Sequence, residues 1–211
     1  MKQFYFILFI LLILISSCSS SSKGDQADDK STEQVTAVVD SLISTESDMK
    51  LVSLSVVKAP MPSFMADEVQ PAIKQSAEMM AAYIFSKALT GDKNSDSKDE
   101  FREAVIAMGA PLREAMKKYE DENHPDFVFG LANVVNTKDT TQKERRLFVF
   151  EENDLKNAKR IEKFSKKNMS DVGMIIALAY GDQIDVENKD LKLEEVEFIK
   201  NNPILKFIVE E

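Results

Sequence analysis

Apolar and polar positions fall in blocks along this chain, and the period within each block separates helices from strands. The first block is continuous: all 12 positions from Phe4 to Ile15 are apolar. A helix crossing hydrocarbon needs about 20 such residues, so this run is too short to span. Residues 19–30 are rich in Ser, Gly and Asp, with Ala27 as the one apolar side chain. That composition predicts a flexible tether. Val35, Val38, Val39, Leu42 and Ile43 then recur at helical spacing and predict a short amphipathic helix over 32–43. Residues 49–58 alternate imperfectly, are rich in Val, Leu and Ser, and predict a strand that Pro60 and Pro62 end. Met61, Phe64 and Met65 form an apolar loop suited to covering a core edge.

Two long helices follow in the pattern. The first is expected over 67–89, with Val69, Ile73, Met80, Ile84 and Ala88 as its stripe. Asp67 and Gln70 are spaced as a capping box. Pro71 moves the expected start toward Gln70, because proline is best tolerated in the first turn. Gly91 is the stop signal. The second helix starts near Ser97, and Phe101, Val105, Met108, Leu112, Met116 and Tyr119 step by three or four. Pro111 lacks an amide donor and crowds the carbonyl of Ala107, so a kink or a break is expected there.

Strands return over 127–135 and 147–150, with the polar stretch 136–143 as the hairpin loop between them. The remainder reads as helical. Asp154 caps an expected helix carrying Leu155, Ala158, Ile161 and Phe164. Residues 172–180 are apolar nearly all round, a buried helix or a buried strand, which period alone does not separate. Further helices are expected over 191–200 and from Pro203 onward. The sum is an α+β fold: a small antiparallel sheet of about three strands, two long helices and a helical C-terminal third. No internal repeat divides it, so residues 31–211 are read as one domain.

Composition narrows the classes of function. Acidic residues number 36 against 27 basic, for a net charge of −9, with no Trp and four Tyr. A nucleic-acid surface needs a basic patch and is excluded as the expectation. With a single Cys, no internal disulfide can form and the core must suffice.

That cysteine changes the reading of the N-terminus. Met1-Lys2, the apolar run and Ile15-Ser16-Ser17-Cys18 together resemble the signal peptide and lipobox of bacterial lipoproteins. The resemblance implies removal of residues 1–17, lipid on Cys18 as the membrane attachment, and a lipidated tether over 18–30. The remaining 194 residues carry 26 basic against 36 acidic side chains, or −10. Ser19, rather than Asp, follows the cysteine. By resemblance to lipoprotein sorting in two-membrane bacteria, that implies the outer membrane, with the domain expected to face the periplasm. An ordinary secretory signal and an uncleaved anchor helix are the competing readings. The first leaves the placing of the only Cys unexplained, and the second is opposed by the early end of the apolar run.

Four features are candidates for chemistry. Residues 92–103 resemble an EF-hand calcium loop, with Asp92, Asn94, Asp96, Glu100 and Glu103 at ligand positions and Lys98 offering its carbonyl. Ser97 stands where that loop wants Gly, and Asp99 where it wants an apolar residue, so a plain helix–helix loop is the expectation. His124, the only histidine, stands in Asn123-His124-Pro125-Asp126 and is expected as a surface turn residue. No spacing motif supplies it with a nucleophile. Nine methionines beyond Met1 invite a soft-metal reading, but those on helical faces more often fill a core; Met61 and Met65 are the pair in a loop. Glu120-Asp121-Glu122, Glu194-Glu195 and the basic run from Lys156 to Lys167 are read as solvated faces, the basic run also suiting anionic lipid or an acidic partner.

The leading functional expectation is therefore a lipid-anchored envelope protein with a non-enzymatic binding or accessory role. It would take an envelope protein or a small ligand, with no nucleic acid, no cofactor and no catalytic residue. An envelope hydrolase with a site around His124 and carboxylates is the second reading. A calcium-stabilised structural lipoprotein is the third.

Overall fold

The computed structural model describes residues 25–90, 98–165, 169–184 and 196–209. Cys18 and its flanking run lie outside them. So do residues 91–97, with Asp92, Asn94 and Asp96, and residues 185–195, with Glu194 and Glu195.

The chain enters as β1 (Asp25–Gln26), which pairs antiparallel with the next strand, Asp25 opposite Lys58 and Gln26 opposite Val57. Helix α1 (Asp29–Ser44) follows at once, capped by the Asp28 side chain accepting from the Ser31 amide at 2.8 Å. The fold thus begins earlier than the tether reading over 18–30 allows. Ala27, the one apolar residue of that stretch, is buried where β1 meets α1. Strand β2 (Met49–Pro60) ends in a single 3₁₀ turn, Ser63–Met65, which buries Met65 against the sheet. The helical hairpin comes next: α2 (Gln70–Thr90) and α3 (Lys98–Glu120). Then follow β3 (Asp126–Asn136), β4 (Lys143–Glu151) and β5 (Arg160–Phe164). Helices α4 (Met169–Tyr180), α5 (Glu197–Lys200) and α6 (Pro203–Val209) complete the described chain.

All five strands form one antiparallel sheet in the order β1-β2-β3-β4-β5. The α+β class is as expected, and the sheet is wider than three strands. Strand β5 replaces the helix expected from Asp154. Leu155, Ala158, Ile161 and Phe164 have helical spacing, but Arg160 to Phe164 pair with β4 from Val149 to Arg145. The open edge of β4 offers ladder hydrogen bonds to alternate residues of this segment, and a few residues of helix period do not outweigh them.

Both faces of the sheet are covered. On one, Val35, Val39 and Ile43 of α1 pack against Val128, Val134, Phe148 and Phe150. The approach is close at Gly130, where an added Cβ would lie 3.2 Å from a Val35 methyl. On the other, Phe129, Leu131, Leu147 and Val149 meet Ile176, Ile199, Ile204 and Ile208 of the C-terminal helices. Asn202 caps α6 by accepting from the amides of Ile204 and Leu205 at 3.1 and 3.0 Å. A third cluster joins α2, α3 and α4 through Met80, Val105, Leu112, Met116 and Leu178.

Of the kink or break expected at Pro111, the break does not occur: helix α3 runs through it. Arg113, two residues on, ties α3 to α4. Its guanidinium donates to the carbonyl of Ile106 within α3 and, at 2.8 Å, to that of Leu178 in α4. Gly109 lets α4 come this close, since a Cβ there would stand 2.1 Å from the Leu178 oxygen. Opposite, α1 is tied down where it ends. Arg146 is 3% exposed and makes a two-pronged pair with Glu46 at 2.7 and 2.8 Å, while Glu144 takes its Nε at 2.8 Å. Burial works against the Arg146 charge, and these carboxylates outweigh it. The hydrogen bonds from Arg146 hold the Glu46 carboxyl below its usual range.

Candidate functional site

The reversal from α3 into β3 builds the most chemically varied surface among the described residues. Tyr119 ends the buried stripe of α3, and five residues later the turn folds His124 back onto it. The two rings stack with centroids 3.6 Å apart and planes 10° from parallel. His124 Nε2 lies 2.8 Å from the Tyr119 carbonyl. A carbonyl only accepts, so Nε2 carries the proton and Nδ1 is the acceptor of the neutral ring. With its side chain 19% exposed, His124 is more enclosed than the surface turn residue expected from the sequence. Burial, then the charges of Glu68, Asp67 and Glu122, push the Tyr119 hydroxyl above its ordinary range, so it stays a neutral donor.

This stack is one wall of a cavity of about 430 Å³. The 3₁₀ turn and its flanks form the opposite wall, with Met61, Met65, Asp67 and Glu68. The ends of β3 and β4 supply Phe127 and Val149, and the start of β5 supplies Lys159 and Arg160. A second cavity of about 550 Å³ shares Pro125, Phe127 and Lys159 and extends past Glu151, Glu152 and Asn153. The two read as one groove with Phe127 as floor. Volumes in this range suit a small-molecule site.

Most of the charges around the groove are paired. Arg160 donates to the Met65 carbonyl at 2.7 Å, lies 3.7 Å from Asp67 and is held by Glu162. Lys159 pairs with Glu151 at 2.7 Å and stands 5.4 Å above the Phe127 ring. The hydrogen bond that Lys159 donates to Glu151 raises its ammonium above the ordinary range. Lys58 pairs with Glu152 at 2.6 Å at the far end. The arrangement can hold a ligand with an apolar or aromatic body over Phe127 and a polar end at the Tyr119–His124 stack or at Arg160. Nδ1 of His124 is left as the acceptor of the ring, and no Ser or Cys is among the described residues that line the groove.

Of the residues singled out in the sequence, the groove brings together His124, Met61 and Met65, and with them Lys159 and Arg160 of the basic run. The described part of that run, Lys156 to Phe164, forms a turn and the edge strand β5 rather than one side of a helix. Of the calcium-loop residues, Glu100 and Glu103 lie outside the groove. Lys98 to Glu103 are already helical, Glu103 is exposed, and Glu100 pairs with Lys87 at 3.0 Å. Glu120 accepts from the buried Ser63 hydroxyl at 2.6 Å, so one of the carboxylates read as solvated holds the 3₁₀ turn against α3. Among the described residues no group of His, Cys, Asp and Glu is arranged to hold a metal ion. Nor is any described helix long and apolar enough to cross a membrane. Tyr119, Phe127 and Asp67 were not picked out by sequence spacing. The one sequence signal for them is the tight turn through His124-Pro125, which returns the chain onto the end of α3.

No known protein family matches this chain, and neither does any curated protein or solved structure.

Proposed function

We propose that this chain is a lipid-anchored cell-envelope protein with a non-enzymatic binding role, and that its groove takes a small ligand. The groove itself carries the reading. It joins an apolar floor, Phe127, Pro125 and Met61, to polar groups that converge from three distant segments. Small-molecule sites combine apolar surface for affinity with a few fixed polar groups for orientation. The hydrolase reading is weaker, because no hydrogen bond joins His124 to a nucleophilic side chain among the described residues. The calcium reading is weaker because Glu100 already has Lys87 as its partner.

Attachment through Cys18 to the outer membrane, with the domain in the periplasm, completes the proposal. The lipobox resemblance supports it. Replacing Cys18 with Ala should release the protein from the membrane fraction and remove the mass of the lipid. Unchanged mass and membrane retention would sink the anchor.

The binding role is tested on protein purified from the envelope and sprayed intact for native mass spectrometry. A small molecule should ride on the wild-type chain and be lost in Phe127→Asp and His124→Ala. The same adduct on both variants would place the ligand elsewhere, and a bare chain in every preparation would remove the support for a small-ligand site.

A further inference from the structure

The chain enters the fold beside the groove. Strand β1 pairs Asp25 with Lys58 of β2, and Lys58 pairs in turn with Val128 of β3. Two strand spacings of about 4.8 Å therefore separate Asp25 from the residue next to Phe127, the groove floor. The Lys58 side chain reaches the same place. Its ammonium lies 2.6 Å from Glu152 and 4.0 Å from Asp126, and both carboxylates line the second cavity. Because β1 is antiparallel to β2, going back along the chain from Gln26 to Asp25 runs toward Pro60, the end of the sheet where the groove lies.

A lipid on Cys18 turns this placement into an orientation. Seven residue steps separate Cys18 from Asp25. An extended chain covers at most about 3.6 Å per step, so Asp25 stays within about 25 Å of the attachment point. From Val128, level with Asp25, β3 continues for eight residues to Asn136 and the turn into β4. At strand rise that is about 27 Å. Standing the domain on that turn would lift Asp25 further from the bilayer than the tether allows. The groove end is the end that the anchor holds to the membrane.

Two groups in the first cavity are unspent. Arg160 uses Nη1 on the Met65 carbonyl and Nε on Glu162, and its Nη2 has no hydrogen-bond partner among the described residues. Glu68 also lines this cavity and pairs with no cation among the described residues. Resting on the reading of this chain as an anchored binding protein, we propose that the groove takes its ligand from the membrane surface. The ligand is an amphiphile with one apolar tail or ring system and a zwitterionic head. The apolar part lies over Phe127, Pro125 and Met61. The anionic group of the head accepts from Arg160, and the cationic group meets Glu68. Cavities of about 430 and 550 Å³ hold a body of drug size, hence one tail rather than two.

The test uses the full-length lipidated chain in vesicles of phosphatidylethanolamine and phosphatidylglycerol. A photo-crosslinking amino acid at Asn153, on the groove rim, should label lipid, and one at Lys138, in the far turn, should not. Labelling at Lys138 as strong as at Asn153, or none at Asn153, overturns the proposal. For the ligand, the chain is offered lysophosphatidylethanolamine and lysophosphatidylglycerol of one tail length, read by native mass spectrometry. The ethanolamine form should bind about tenfold tighter. Glu68→Gln should remove that preference, and Arg160→Gln should weaken both forms about tenfold. Glu68 is exposed, so its variant should keep the wild-type melting temperature whatever becomes of Arg160. Equal uptake of both lipids by wild type, or uptake unchanged in Phe127→Asp, overturns the proposal. The wider reading fails separately. Cys18→Ala protein that stays in the membrane fraction removes the anchor. A water-soluble compound that rides on wild type and is lost in Phe127→Asp leaves the binding role standing and overturns this choice of ligand.

Discussion

In β4, Leu147, Phe148, Val149 and Phe150 are all buried because helices cover both faces of the strand. In α2, Ile84, Phe85 and Leu89 stand in solvent because only one side of the helix is covered. The side chains are of the same kind, and their surroundings separate them. Strand β4 has a neighbouring strand on each edge and a helical layer on each face. Helix α2 has α3 and α4 on one side alone. An apolar segment states a need for cover, and the fold meets it for one of these segments and only in part for the other.

The contrast can be broken by mutation, beginning with the largest effect. Phe148→Ala should cost about 4 kcal/mol, read from denaturant unfolding, because a fully buried ring leaves a cavity that the layers on both sides cannot close. Gly109→Ala should cost about 3 kcal/mol, because the new methyl meets the Leu178 backbone oxygen and must push α4 away from α3. A melting curve matching wild type would show that the two helices already stand apart.

Glu46→Gln should cost about 1–2 kcal/mol near neutral pH, since it removes one charged partner from a buried guanidinium that keeps Glu144. The direction with pH follows from the Glu46 carboxyl lying below its usual range when folded. Its contribution is complete above the ordinary glutamate value and is lost as pH falls through the lower folded value. The gap between wild type and variant should therefore close in acid. A gap constant down to pH 2 would refute the pairing. At the small end, Phe85→Ser should change monomer stability by less than about 0.5 kcal/mol, the range of an exposed site.

The same contrast explains what could be read from the chain. Strands β3 and β4 announced themselves because Phe127, Phe129 and Leu131 alternate over a length long enough to set a period. Helix α1 was legible for the matching reason, with Val35, Val39 and Ile43 on one side. In α2 the expected stripe held at Val69, Ile73 and Met80 and drifted off at Ile84 and Ala88, which are exposed; beyond Met79 the helix is apolar on both sides and carries little phase, and the fold turned Tyr83 inward instead. Strand β5 was hidden because five residues are too few to override the three-residue spacing of Leu155, Ala158, Ile161 and Phe164. Of the groove, the sequence offered His124, the Met61 and Met65 pair and the basic run as separate features, and nothing in it joined them. Its walls come from Met61 to Glu68, Tyr119 to Phe127, and Val149 to Arg160, and only the sheet register brings them together.

The sheet's connectivity has a kinetic consequence. Strands β3, β4 and β5 follow one another through short turns and can zip locally. Strand β2 ends at Pro60 and its partner β3 begins at Asp126, with the whole helical hairpin between them. Closing that span costs chain entropy before any ladder bond rewards it. Folding should then nucleate in the β3–β4 hairpin, with β2 docking late and drawing in α1 and β1. Substitutions in β2 should mainly speed unfolding, whereas those in the β3–β4 hairpin should slow folding.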